Sequence, residues 1–164
     1  MRYLGLVFLS LLLCFSLPVR AQDAESAKMF VRSIYGREQG GDFEYFGKSA
    51  KYIFSESLLA LMDHDQELAH GRLSTWVVGG DPFCECQNIE GFILGNVSAQ
   101  LGKSGEAHAV ASYSFNPAYP PKKAQYDLVF ERGGWRINDV SNDHLTSFRK
   151  KIQNSIASYK QDAQ

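Results

Sequence analysis

A chain of 164 residues, 45% hydrophobic and 21% charged, carries enough apolar side chains for one real core and too little charge to behave as a disordered polyelectrolyte. Its 17 basic and 18 acidic residues leave a formal net charge of −1, which gives no electrostatic reason to expect nucleic acid or an anionic membrane surface as partner. No stretch reaches the roughly 20 consecutive apolar residues of a bilayer-spanning helix.

The first element is a leader. Met1-Arg2 is a short basic start, Tyr3 to Leu17 is an almost unbroken apolar run, and Val19-Arg20-Ala21 places small residues where signal peptidase reads them. Cleavage after Ala21 is expected, leaving residues 22–164 as one soluble domain. Lipid attachment at Cys14 is disfavoured, because Leu13 stands where that processing requires a small residue.

Asp23 can cap a first helix, with Glu25 in its first turn and Ala27, Phe30, Val31 and Ile34 at helical spacing before Gly40-Gly41 stops it. The short aromatic segment Phe43 to Gly47 follows without a clear period. Ser55 caps a second helix whose buried face is Leu58, Leu59, Leu61, Met62 and Leu68; Asp63, His64, Asp65 and Glu67 form its wet side, and Gly71 ends it. Residues 72–90 lack a period but contain Gly79-Gly80-Asp81-Pro82, a turn signal. Four strands are expected next, near 91–100, 107–115, 125–131 and 135–140, with Ala109, Ala111, Tyr113 and Phe115 on one face of the second. Turn residues at 102–105 and 133–134, and the proline-bounded connection 116–121, join them as an antiparallel meander. The tail is an amphipathic helix with Leu145, Phe148, Ile152, Ile156 and Tyr159 along one stripe and Arg149-Lys150-Lys151 on the solvated side. The fold class is therefore α+β: N-terminal helices on an antiparallel sheet, closed by a C-terminal helix.

Helices followed by a sheet ending in Glu131-Arg-Gly-Gly-Trp135-Arg-Ile-Asn-Asp139-Val resemble the nuclear transport factor 2-like cone fold. With Asp81-Pro-Phe-Cys-Glu-Cys-Gln87-Asn88 and the basic last helix, the chain resembles a bacterial envelope family of unknown function, the YqhG and YbjP type. The resemblance implies a curved, cone-like sheet and a periplasmic location, and it implies no particular chemistry, since cone folds host enzymes, ligand binders and dimerisation modules alike.

Cys84 and Cys86 are the cysteines that remain after export. In an oxidising compartment they are expected to form a disulfide, the bend at Gly80-Asp81-Pro82 easing a closure that one intervening residue makes tight. Two reduced buried thiols, a soft-metal site or redox work are the alternatives. His64, His70, His108 and His144 show no ligand spacing and read as solvent-facing. Asp81 and Asp139 are the carboxylates to consider for acid–base chemistry, against simpler roles in a turn and a helix cap. Trp135 reads as core. Trp76, Gln87 and Asn88 are candidates for contact with a ligand or partner, beside Asp81 and Asp139. Asn96-Val97-Ser98 fits a glycosylation sequon that a bacterial protein would not use. No phosphate-binding glycine loop, Gly-x-Ser-x-Gly or His-Glu-x-x-His is present, and no cofactor or metal is called for. The expected function is non-enzymatic binding of an envelope protein or small ligand through the sheet's concave face and the 76–90 loop. An enzyme with scattered site residues and a redox- or stress-responsive factor acting through Cys84 and Cys86 are the alternatives.

Overall fold

The computed structural model describes residues 22–39, 47–70, 81–84 and 90–162. Helix α1 (Ala24–Gln39), a single 3-10 turn (Ala50–Tyr52) and helix α2 (Glu56–Leu68) precede four strands, β1 (Ile93–Leu101), β2 (Glu106–Ser114), β3 (Lys122–Glu131) and β4 (Gly134–Asn142), and helix α3 (Phe148–Asp162) closes the chain. The sheet order is β1-β2-β3-β4 with every neighbouring pair antiparallel. This is the α+β meander that the spacing of turn signals predicts.

Each helix start has a visible cause. Asp23 and Ser26 exchange bonds: the Ser26 amide donates to Asp23 Oδ1 at 2.6 Å and the Asp23 amide to Ser26 Oγ at 3.2 Å, a reciprocal cap for α1. Ser55 Oγ accepts the Leu58 amide at 3.1 Å, and Glu131 Oε1 accepts the Glu56 amide at 2.6 Å, so two otherwise orphaned donors of α2 are satisfied. The start of α3 is held by Ser147 and Asp139 together. Ser147 Oγ accepts the Lys150 amide and donates to Asp139 Oδ2, while Asp139 Oδ1 accepts the Arg149 amide.

One expectation for α2 changes. Asp65, assigned to the wet side, is fully buried, and among the described residues neither of its carboxylate oxygens has a hydrogen-bond partner. The reason is register: Leu58, Met62, Asp65 and Ala69 follow steps of four, three and four, so Asp65 falls on the buried stripe. The helix runs to Leu68. His70 adopts the left-handed conformation (φ 50°) just past the C-cap Ala69, and Gly71 lies outside the described residues.

One face of the sheet is buried. Ala107, Ala109, Ala111 and Tyr113 of β2 and Ala124, Tyr126 and Leu128 of β3 point inward, while His108, Gln125 and Asp127 are exposed. The alanines leave room for rings. Tyr35 of α1 stacks on Phe92 and meets Tyr126 edge-on; Phe83 stacks between Phe54 and Tyr126; Phe92 stacks on Tyr113. The Tyr35 and Tyr126 hydroxyls lie 2.6 Å apart, and the Tyr35 hydroxyl also donates to the Phe83 carbonyl at 3.0 Å, so these phenols enter the core with partners.

Two bulges and one turn shape the sheet. In β1, Gly95 and Asn96 face Ser112 alone. A side chain at Gly95 would meet Ser112 Oγ at 2.7 Å, and that hydroxyl accepts the Asn96 amide at 2.8 Å. In β4, Asn138 is the extra residue, since Asp127 pairs with Asp139 and Leu128 with Ile137. The bulge explains why Trp135, Ile137 and Val140 are all buried despite a step of three. Arg132 (φ 52°) and Gly133 (φ 73°) form a two-residue turn between Glu131 and Gly134; positive φ at both positions matches the right-handed twist of the strands it joins. The free edge of β4 is covered by segment 53–55, with Ile137 donating to the Ile53 carbonyl at 2.7 Å and accepting from the Ser55 amide at 2.8 Å.

Helix α1 packs on β1 and β2, and α2 and α3 pack on each other and on β4. Phe148, Ile152 and Ile156 bury the expected stripe of α3, while Leu145 and Tyr159 lie half-buried at its ends. No described helix is long and apolar enough to cross a membrane.

Candidate functional site

Helix α1 presents a second stripe beside the one in the core. Ser26, Met29, Phe30, Ser33, Ile34 and Arg37 recur at steps of three, one, three, one and three, and they form one wall of a pocket of about 390 Å³. The opposite wall is Tyr52 and Ile53 from the 3-10 turn, with Phe130 and Gly134-Trp135-Arg136 from the β3–β4 hairpin. From Ser26 to Arg37 the stripe spans roughly 16 Å at the α-helical rise. The volume sits at the small end of the range for ligand sites, roughly 300–1,000 Å³.

The hairpin end of the pocket is fixed. The Trp135 indole donates to Ser26 Oγ at 2.9 Å and meets Phe130 edge-on with ring centroids 5.3 Å apart. Arg136 is buried, and its Nε and Nη1 donate to the carbonyls of Lys51 (3.1 Å) and Trp135 (2.7 Å). Both acceptors are backbone carbonyls, and they fix the plane of the guanidinium. They also pin the 3-10 turn to β4. At the far end, Arg37 is exposed in the last turn of α1 and makes no ion pair among the described residues. Met29 and Tyr52 are each 56% exposed. They belong to a small set of large apolar side chains left in water, and both line this pocket.

The sequence candidates fall elsewhere. Asp139 is occupied as the cap of α3 and also accepts the Val140 amide at 2.8 Å. Asp81 Oδ1 accepts the Phe83 amide at 2.6 Å, a local turn bond that swings Phe83 into the core. These are the simpler roles weighed for both carboxylates, and neither lines the pocket. Cys84 is fully buried. Trp76, Cys86, Gln87, Asn88 and the cleavage position Ala21 lie outside the described residues. His64, His70, His108 and His144 are all exposed; His108 Nδ1 lies 3.0 Å from Asp127 Oδ1 across the open face of the sheet. Among the described residues no group of three or more histidine, cysteine, aspartate or glutamate side chains is placed to hold a metal ion.

Sequence reasoning missed Arg37, Arg136, Ser33 and Tyr52. A basic residue in a helix's last turn normally reads as a complement to the dipole, which hides Arg37. Arg136 was visible between Trp135 and Ile137, where strand alternation points it away from the core. Among the described residues, segment 50–53 packs over that side of β4 and its Lys51 carbonyl accepts from Arg136.

No family model matches the chain. Among curated proteins it is similar to the uncharacterized protein YqhG of Escherichia coli (strain K12), 27% identical over 144 residues that make up 85% of this chain and 46% of that protein. The chain thus spans about half the length of the curated relative it matches. The likeness supports the YqhG side of the resemblance carried by the 81–88 and 131–140 motifs.

Proposed function

We propose that this chain is a periplasmic binding module for a small ligand, released by cleavage after Ala21 and stapled by a Cys84–Cys86 bridge. The observation that carries the reading is the pocket between α1, the 3-10 turn and the β3–β4 hairpin, with apolar walls, two arginines and an aromatic floor. The buried face of the sheet is packed with rings, which moves the binding surface from the sheet's interior to this neighbouring opening. The bridge is supported by the oxidising compartment that the leader implies, and Cys84 is buried. Burial also argues against a redox sensor, which needs an accessible sulfur. An enzymatic reading loses its proposed acids, since Asp81 and Asp139 are engaged with backbone donors. The order of helices before an antiparallel meander favours the cone-like architecture of the nuclear transport factor 2-like proteins.

Native mass spectrometry of the protein recovered from a periplasmic extract tests this. The expected species begins at Gln22, is two hydrogens lighter than the reduced chain, and carries a small-molecule adduct lost on unfolding. A stoichiometric protein partner, or a bare chain in every preparation, would overturn the small-ligand reading.

A further inference from the structure

We infer that the pocket takes a neutral aromatic compound of a few fused rings, seated between Met29 and Tyr52 with no charged group inside the walls. This rests on the small-ligand reading above. The polar atoms lining the space are mostly engaged within the protein. Ser26 Oγ accepts the Trp135 indole N–H at 2.9 Å and donates to the Asp23 carbonyl at 2.8 Å. Ser33 Oγ donates to the Phe30 carbonyl at 2.7 Å. Arg136 is buried and committed to protein partners, the Lys51 and Trp135 carbonyls among them. The other polar side chains of the lining, Arg37 and Tyr52, belong to exposed residues at the rim, so their polar ends meet water. A ligand's polar group carried past the rim would give up water for walls with few partners to offer, and an ionised group would lose most.

What the walls do offer is apolar and ring surface. Met29, Phe30 and Ile34 supply it from α1, and Tyr52, Phe130 and Trp135 from the other side. Met29 and Tyr52 decide the shape of the guest. Each is 56% exposed, and they stand on opposite walls, so a flat molecule entering between them covers apolar area on both of its faces. A thioether and a phenol ring also favour an aromatic guest over an aliphatic one, through sulfur–ring and ring–ring contact. Lys51, outside the lining, places its Nζ 5.0 Å from the centroid of the Tyr52 ring, which holds that ring in place. The volume of about 390 Å³ admits a few fused rings whole.

The test uses the mature protein, isotope-labelled at the methionine methyls and followed by NMR. Cleavage after Ala21 removes Met1 and leaves Met29 at the pocket and Met62 in the core, so the second signal is an internal control. Naphthalene, 2-naphthoate and 2-naphthylmethylammonium, alike in their rings and different in charge, are titrated in turn. Naphthalene should shift the Met29 signal to saturation and leave Met62 unmoved. Each ion should bind about tenfold more weakly than naphthalene, because its charge gains no partner inside the walls. Tyr52→Leu, which keeps apolar bulk and removes the ring, should weaken naphthalene about fivefold, and Tyr52→Phe should retain it. Either ion binding as tightly as naphthalene would overturn the neutral assignment while leaving the pocket reading standing. Parent-like binding of naphthalene in Tyr52→Leu would overturn the aromatic seat. A Met29 signal that none of the three compounds moves, in a chain that unfolds cooperatively, would overturn the pocket reading itself.

Discussion

Along α1, residues 27, 31 and 35 meet a closed aromatic cluster, whereas residues 26, 29, 30, 33 and 37 face an open pocket and Ile34 borders both. The difference lies in what stands opposite. β2 and β3 offer alanines, and rings from α1 and from residues 83 and 92 fill the space they leave. The β3–β4 hairpin instead offers Trp135 and Arg136, both committed to bonds that hold them in place, and nothing large among the described residues enters between them and the helix. A packed region and an open one thus share a single helix, and the first should carry stability while the second carries binding.

That division can be broken by mutation. Tyr126→Ala removes a fully buried ring that meets Tyr35 and Phe83 and shares a hydroxyl bond with Tyr35 and should cost about 3–5 kcal/mol in urea unfolding; a loss below about 1 kcal/mol would mean the cluster is not the stabilising region. Asp139→Ala strips the cap of α3 and should cost about 1–2 kcal/mol, with the loss showing as early exchange of the Arg149 and Lys150 amides. Asp65→Asn should go the other way. Among the described residues the carboxylate is buried without a hydrogen-bond partner, so replacing it by an amide should raise stability by about 1 kcal/mol; a drop of that size would show that Asp65 is held by something the protein needs. Smallest of all, Arg37→Gln should change stability by less than about 0.5 kcal/mol, because the residue is exposed and makes no ion pair among the described residues.

The two regions were also unequally legible. The stripes of α1 and α3, the cap at Ser55 and the alternation Ala109-Ala111-Tyr113 follow directly from period and propensity, and the meander follows from glycine turns. The misassignment of Asp65 shows the limit of reading polarity as exposure: a charged residue on a buried stripe breaks the rule that the pattern is built on. The bulge at Asn138 was invisible because a bulge depends on what the partner strands need. Here its side-chain oxygen accepts from Ser55, Ser57 and Arg149, tying α2 and α3 to β4. The pocket was unreadable for a related reason. Its members come from residues 26–37, 52–53 and 130–136, and each taken alone has an ordinary explanation as helix surface, turn or strand.

The central claim is that the space beside α1 is a site and that ligand entering it reaches Trp135. The most direct measurement is the indole N–H resonance of Trp135, which reports the bond to Ser26, followed during titration with naphthalene in the mature chain and in Ser33→Phe, where a ring fills the pocket from an exposed helix position. The resonance is predicted to move in the parent and to stay still in the filled variant. Equal movement in both, or none in the parent, would contradict the assignment.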